Sequence, residues 1–168
     1  MAGDRSGPEM SRTYWLGILL GVLLAASSFA PQAQAAPDMM PLLLSAPWHG
    51  SYVCNQGLTR LRLTLRPLPG GSERRMEAEF AFSADPDNPQ VPTGSFRMTG
   101  TWDPTTRALS LKPENWIDQP VDPSYRMVSL EGKVFLGDGQ AMIRGRVATY
   151  GCEDFAVWQF FIVPATGR

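Results

Sequence analysis

Few side chains in this chain of 168 residues are of the types that usually carry catalysis or bind metals. It has one histidine, His49, and two cysteines, Cys54 and Cys152. A Ser-His-Asp or Cys-His arrangement would have to use His49. One histidine without a free thiol also falls short of the ligand set of a common zinc site. We therefore expect no catalytic triad, no metal site and no cofactor.

Paired carboxylates are the remaining candidates for chemistry, because a glycoside hydrolase needs only two at a suitable separation. The candidate pairs are Glu114 with Asp118 and Glu153 with Asp154. Ordinary surface solvation explains all four. The acidic run 85–88 lacks the spaced ligands and the distal glutamate of a calcium loop. A carboxylate-dependent hydrolase of envelope glycans is therefore the alternative function and not the leading one.

The segment Glu114–Tyr125, ENWIDQPVDPSY, combines large apolar residues with polar neighbours and prolines. A segment that reads as a loop rarely carries a tryptophan and an isoleucine unless they are packed or used in binding. One interpretation is a lid that folds over the end of the domain. The other is a contact site for a sugar or a protein, with apolar area and hydrogen-bonding groups supplied by Asn115, Trp116, Ile117, Asp118, Gln119 and Tyr125.

The N-terminal 35 residues have the pattern of a cleaved secretory signal. Tyr14–Ala26 is an uncharged apolar run too short to span a bilayer comfortably, and Ala33-Gln34-Ala35 is a small-x-small cleavage motif. Translation from Met10 instead of Met1 would give this signal a positive start. We predict a mature chain that begins at Ala36, with residues 36–47 as a flexible lead-in. It is expected to be periplasmic or secreted and not membrane-spanning.

The charge balance of this mature chain excludes some classes of principal partner. From Ala36 onward it has 13 basic and 14 acidic residues, a balance that argues against nucleic acid and against an anionic membrane as principal partners.

The two cysteines predict a covalent link. In an oxidising compartment two cysteines near the ends of a domain normally form a bond. We therefore predict a Cys54–Cys152 disulfide.

Alternating apolar and polar residues predict a chain of antiparallel strands. Arg60–Arg66 and Arg74–Phe82 flank a turn at Gly70-Gly71. A hairpin centred there would place Arg62 opposite Glu79. Its inner pairs would be Leu61 with Phe80, Leu63 with Ala78 and Leu65 with Met76.

Further strands follow the same alternation, with Lys112–Pro123 as a proline-containing loop between them. The predicted segments are Trp48–Cys54, Ser95–Trp102, Arg107–Leu111, Tyr125–Phe135, Gln140–Tyr150 and Phe155–Val163. About eight antiparallel strands with short turns predict an all-β domain over residues 48–164, organised as a small up-and-down barrel. A two-sheet β-sandwich is the alternative.

Several motifs resemble those of a poorly characterised proteobacterial exported β-module. They are WHGSYVCNQG, GSFRMTGTWD, LKPENWIDQP, YRMVSLEG and GRVATYGCEDF. That module opens with W-x-G-x-Y-x-C-x-Q-G and closes with C-x-x-F, and the resemblance covers nearly the whole mature chain but implies no known activity. Tyr52–Gly57 is also similar to the Y-x-C-x-x-G opening of periplasmic inhibitors of C-type lysozyme, which are small β-barrels. Their S-G-x-x-Y signature and Trp-x-Lys-Gly run are absent here.

Together these observations favour a non-enzymatic, exported binding or inhibitor-type module. Its partner would be a periplasmic protein or a small apolar ligand held inside the barrel. An envelope glycan is the alternative partner.

Overall fold

A computed structural model describes residues 39–68, 74–137 and 139–161. The predicted signal, residues 1–35, lies outside these ranges and remains a prediction. The described chain forms one short helix and eight strands, with the following bounds: α1 Met40–Leu44, β1 Trp48–Cys54, β2 Gly57–Pro67, β3 Arg75–Ala84, β4 Gly94–Asp103, β5 Ala108–Asp118, β6 Leu130–Gly137, β7 Gln140–Val147 and β8 Cys152–Phe160.

The eight strands form a closed antiparallel barrel in chain order, and β8 pairs with β1 to complete it. The prediction of an up-and-down barrel is confirmed, and the alternative of a sandwich is wrong. Cys54 and Cys152 face each other across the β1–β8 pair and form the predicted disulfide, which links residues 98 apart. Alternate residues point inward, so large side chains such as Trp48, Phe80, Phe96 and Trp102 fill the interior.

The hairpin of β2 and β3 has the predicted faces but a different register. Leu63 pairs with Phe80 and Leu65 with Ala78, two residues away from the expected partners. A shift of two keeps the same side chains inside, so the apolar pattern alone cannot detect it. Arg62 pairs with Ala81, yet its guanidinium still lies 3.5 Å from the carboxylate of Glu79 on the diagonal.

The prediction of a loop from Lys112 to Pro123 is wrong for its first half. β5 continues to Asp118 and pairs with β4, with irregularities on either side of the Arg97–Asn115 and Phe96–Trp116 pairs. These bulges accommodate Pro113, which has no N–H to donate to the ladder. β6 begins at Leu130, not at Tyr125, so only Ala108–Leu111 of β5 pairs with it.

Two glycines allow neighbouring strands to approach closely. A Cβ added at Gly100 would lie 1.8 Å from the carbonyl oxygen of Ser110. One added at Gly145 would lie 2.0 Å from the carbonyl oxygen of Glu131. No side chain fits at these distances, and glycine at such points suits the strong curvature of a small barrel.

The two ends of the barrel differ in what covers them. At the helix end, where β1 begins and β8 finishes, α1 packs over the opening and Leu43 is fully buried. The indole Nε1 of Trp48 donates to the Leu43 carbonyl at 3.1 Å, and the amide of Gln159 donates to the Ala46 carbonyl at 2.6 Å. Within residues 39–47 the chain thus forms a packed helix where the sequence predicts a loose lead-in. The apolar residues of this segment pack on the barrel core, and the sequence pattern of the segment does not reveal that contact.

At the opposite end, called the disulfide end, four connections surround the Cys54–Cys152 bond. They are residues 55–56, 85–93, 119–129 and 148–151. None of the helices in the described ranges is long and apolar enough to cross a membrane.

Candidate binding site at the disulfide end

A connected group of aromatic rings runs from the core to the surface at the disulfide end. Phe80 stacks on Phe96 with centroids 4.6 Å apart, and Phe96 meets Trp116 edge-on at 5.4 Å. Phe82 contacts Trp116 at 6.3 Å and stacks on Tyr125 at 6.0 Å. The outermost rings, Trp116 and Tyr125, are half-buried, so each keeps part of its surface available to a ligand.

The bulges of β5 explain how Trp116 comes to face this group. A bulge adds a residue to one strand and changes which side chain points inward. Between the two irregularities Trp116 pairs with Phe96 and turns toward the barrel mouth, while Asn115 and Ile117 stay exposed. Bulges recur at barrel rims and beside binding sites, where they redirect single side chains in this way.

An open cleft of about 430 Å³ lies beside these rings, between the connections that flank the disulfide. Aromatic and polar groups mix along its walls. The lining residues are Tyr52, Cys54, Asn55, Gln56, Phe82, Asp122, Ser124, Tyr125, Arg126, Val128, Thr149, Tyr150, Gly151 and Cys152.

Tyr52 and its partners form one wall of the cleft. The Tyr52 hydroxyl accepts a hydrogen bond from the amide of Gln56 at 3.2 Å. Burial raises the pKa of the Tyr52 hydroxyl well above its ordinary value, so this group stays protonated. The amide of Asn88 donates to the carbonyls of Gln56 and Leu58, which fixes the 85–93 connection against the turn of β1 and β2.

The connection 119–129 forms the other wall through a tight local turn. The Asp122 carboxylate accepts the Ser124 N–H at 2.8 Å, and this bond lowers the pKa of Asp122 below its ordinary value. The Arg126 guanidinium donates to the Pro123 carbonyl. Burial, and next the charge of Asp122, raise the pKa of Tyr125. The wall therefore presents an anionic carboxylate beside a neutral phenol.

Acidic residues outnumber basic ones at the disulfide end. In residues 54–60, 84–97, 114–129 and 146–154 the basic residues are Arg60, Arg97, Arg126 and Arg146. The acidic residues of the same segments, here called the acidic rim, are Asp85, Asp87, Glu114, Asp118, Asp122, Glu153 and Asp154. Asp85 is half-buried beside Arg60 at 3.4 Å, and the other members of the rim are exposed.

Of the residues predicted from sequence, the structure brings Trp116 and Tyr125 together on the ring of Phe82. Of the six, only Tyr125 lines the cleft. Trp116 does not, and Asn115, Ile117, Asp118 and Gln119 are exposed and also lie outside its lining.

Tyr52, Gln56 and Tyr150 are cleft residues that sequence reasoning missed. The signal that could have found them is the disulfide itself. The turns beside two bonded cysteines must lie at the same end of the barrel.

The catalytic candidates are not arranged as a catalytic set. Glu153 and Asp154 are consecutive in β8, where its pairing with β1 is irregular, and both are exposed to solvent. Glu114 accepts a hydrogen bond from the Thr99 hydroxyl at 2.9 Å, and Asp118 lies roughly 10–13 Å further along β5, given the rise of a strand. His49 and Ser51 share the outer face of β1, but no hydrogen bond joins them. Among the described residues, no three His, Cys, Asp or Glu side chains are grouped to hold a metal ion.

Comparison with known proteins gives no further assignment, since no family model, no curated protein and no solved structure matches the chain.

Proposed function

We propose that this chain is an exported, non-enzymatic binding module that uses the disulfide end of its barrel to hold a partner. The observation that carries the proposal is the position of Trp116 and Tyr125. Both rings are packed on Phe82 and half-exposed, and Tyr125 lines the open cleft, whereas Trp116 lies outside its lining. Aromatic side chains held rigidly at a surface are typical binding anchors, because little conformational entropy is lost when they are covered.

The acidic rim favours a protein partner with a basic surface. Opposite charges raise the rate of encounter and exclude partners of like charge. Val121 and Tyr150 are fully exposed next to the cleft and add apolar area for a protein to cover. An inhibitor-type role, in which the rim and rings block a basic target enzyme, is one form of this function. A ligand inside the barrel is less well supported, because core side chains fill the interior.

The test is capture of partners from periplasmic extract by the immobilised exported protein, followed by mass spectrometry. We expect a basic protein to be retained, to be released by added salt, and to be lost with Trp116→Ser/Tyr125→Ser. The matched control is Phe160→Ser, an exposed aromatic position at the helix end, which should retain the same protein. If the double variant captures that protein as well as the wild type, the site lies elsewhere.

An envelope glycan is a second candidate, favoured by the mixture of rings and amides in the cleft. Tyr52 and Tyr125 offer ring surface, while Asn55, Gln56 and Asp122 offer hydrogen-bonding groups that match sugar hydroxyls. Soluble peptidoglycan fragments titrated into isotopically labelled protein should then shift the side-chain signals of Trp116 and Gln56. Turnover of the fragments that is lost on replacing Glu114 or Asp118 would instead establish the hydrolase alternative.

Export itself makes a separate prediction about the mature protein. N-terminal sequencing of the protein from the periplasmic fraction should read from Ala36. An intact N-terminal segment on membrane-bound protein would contradict cleavage and leave the binding site to be tested in the anchored form.

A further inference from the structure

A second surface, distinct from the cleft, exposes large apolar side chains on the outside of the barrel near the helix end. Phe160, Phe135 and Trp158 are 79%, 44% and 36% exposed, and Met142 is half-exposed between them. We call these four residues the apolar flank. Phe135 pairs with Met142 and Met142 with Trp158, so three apolar side chains stand in register across β6, β7 and β8.

Elsewhere the outer face of the barrel is polar, as expected for a sheet with one wet side. β2, for example, presents Arg60, Arg62 and Thr64 outward. Single apolar residues on a surface need no explanation, but a contiguous aromatic group does. The fold does not require it, because the barrel is closed and its core already filled.

Basic side chains border the apolar flank. The guanidinium of Arg144 lies over the ring of Phe135 at 6.0 Å, and Lys133 occupies the next outward position of β6. The carbonyl of Arg107 accepts the N–H of Val134 at 3.0 Å, which brings a third exposed basic residue to the same edge.

The acidic residues of this region offset these charges only in part. Asp138, which follows Gly137 in the sequence, offsets one of the three. Glu131, on the same outer face, is already bonded to Arg146 at 2.6 Å. A formal net charge of −1 for the whole chain thus conceals an uneven distribution, with seven acidic residues in the acidic rim and three basic residues beside the apolar flank.

The N-terminal part of the chain also joins the barrel beside this surface. The Ala46 carbonyl is bonded to Gln159, the residue before Phe160, and the described chain starts seven residues earlier at Met39. The described N-terminal residues therefore lie at the helix end, near the apolar flank.

We infer that the apolar flank docks on the surface of an anionic lipid bilayer. Aromatic side chains are favoured at the level of the lipid headgroups, and each nearby Lys or Arg adds about 1 kcal/mol of attraction to an anionic leaflet. Docking on this side would leave the cleft and the acidic rim directed away from the like-charged lipid. The membrane would hold the barrel in place while its other end meets the partner.

The experiment is sedimentation of the exported protein with two kinds of vesicle, phosphatidylethanolamine with phosphatidylglycerol and phosphatidylcholine alone. We expect binding to the anionic vesicles that falls as salt is raised. Phe135→Ser/Phe160→Ser should weaken it about tenfold, as loss of partly buried apolar area predicts. Lys133→Gln/Arg144→Gln should weaken it by a similar factor on anionic vesicles only.

The matched control is Val121→Ser, which removes a fully exposed apolar side chain at the disulfide end and should bind the vesicles as the wild type does. Circular dichroism checks that each variant is folded, and the exposure of Phe160 makes Phe160→Ser alone a safe second variant. No binding of the wild type, or equal loss with Val121→Ser, would overturn the proposal. So would a wild-type dimer in solution that the Phe160→Ser change converts to monomer, since a second copy would then cover the flank.

Discussion

The two ends of this barrel differ in how their apolar residues are covered. A barrel opening exposes apolar residues of the inner face, and these must be covered or used. At the helix end, Leu43 and Trp48 are fully buried under α1, and the Trp48 indole N–H is satisfied by a backbone carbonyl. At the disulfide end, Trp116 and Tyr125 are half-exposed, and Tyr125 lines an open cleft. One end is therefore closed by packing, whereas the other leaves aromatic rings partly exposed, as the proposed binding role requires.

The covalent bond lies where the packing is more open. The Cys54–Cys152 disulfide joins the strands that close the barrel, at the end over which the described residues form no helix. A rigid rim keeps the cleft walls in position when no cap is present. The comparison yields four predictions, ordered by the size of the expected effect.

Loss of the disulfide should have the largest effect on stability. For Cys54→Ser/Cys152→Ser we expect a decrease of about 4–5 kcal/mol in the free energy of unfolding, because the bond closes a long loop in the unfolded chain. Urea denaturation measures it, with reduced wild-type protein as the control. A loss below about 1 kcal/mol would show that packing alone holds the disulfide end.

Removal of the Trp48 indole should have the second-largest effect on stability. Trp48→Ala should cost about 3–4 kcal/mol, since it empties a fully buried site and leaves the Leu43 carbonyl without its donor. Denaturant unfolding gives the value. Leu43→Ala is the companion variant, and it should lower stability while leaving partner binding intact.

The equivalent change at the disulfide end should cost less and act on binding instead. Trp116→Ala should lower stability by only about 1–2 kcal/mol, because its side chain is half-exposed, but should abolish capture of the partner. Unfolding and binding are measured on the same preparation. A loss as large as that of Trp48→Ala, with binding retained, would make Trp116 a lid and end its role as a contact.

The smallest effect concerns pH and compares one aspartate at each end. The Thr105 N–H lowers the pKa of Asp103 below its ordinary value, and the Ser124 N–H does the same for Asp122. A carboxylate whose pKa is lower in the folded chain than in the unfolded chain stabilises the fold at pH values above its unfolded pKa. This stabilisation is lost as the pH falls through its folded pKa. Asp103→Asn and Asp122→Asn should each flatten slightly the decline of the urea midpoint between about pH 5 and about pH 2. Unchanged slopes in both variants would contradict the lowered pKa values.

Prediction from sequence succeeded where one local pattern carries the information. Alternation placed Leu61, Leu63 and Leu65 inside, and the export pattern with two cysteines predicted the disulfide. It failed on the register of β2 and β3, because a shift of two residues preserves every face. It failed also at Lys112–Asp118, where prolines suggested a loop and the β4 ladder accommodates them through bulges.

For the candidate site, sequence identified Trp116 and Tyr125 as unusual but could not supply Phe82, the ring on which both rest. Phe82 belongs to β3, some thirty residues away in the chain, and its pattern is that of an ordinary core residue. Only the closed barrel brings these segments to one end.

The sequence by itself determined the fold class, the inward and outward faces and the disulfide, because these depend on residue type, on a two-residue period and on compartment. Tertiary structure decided the strand register, the extent of β5, the helix that caps one end and the cleft that opens at the other. It also decided where the charges lie, since a net charge near zero says nothing of their separation in space. These features depend on which distant strands meet, and that is set by the packing of the whole core.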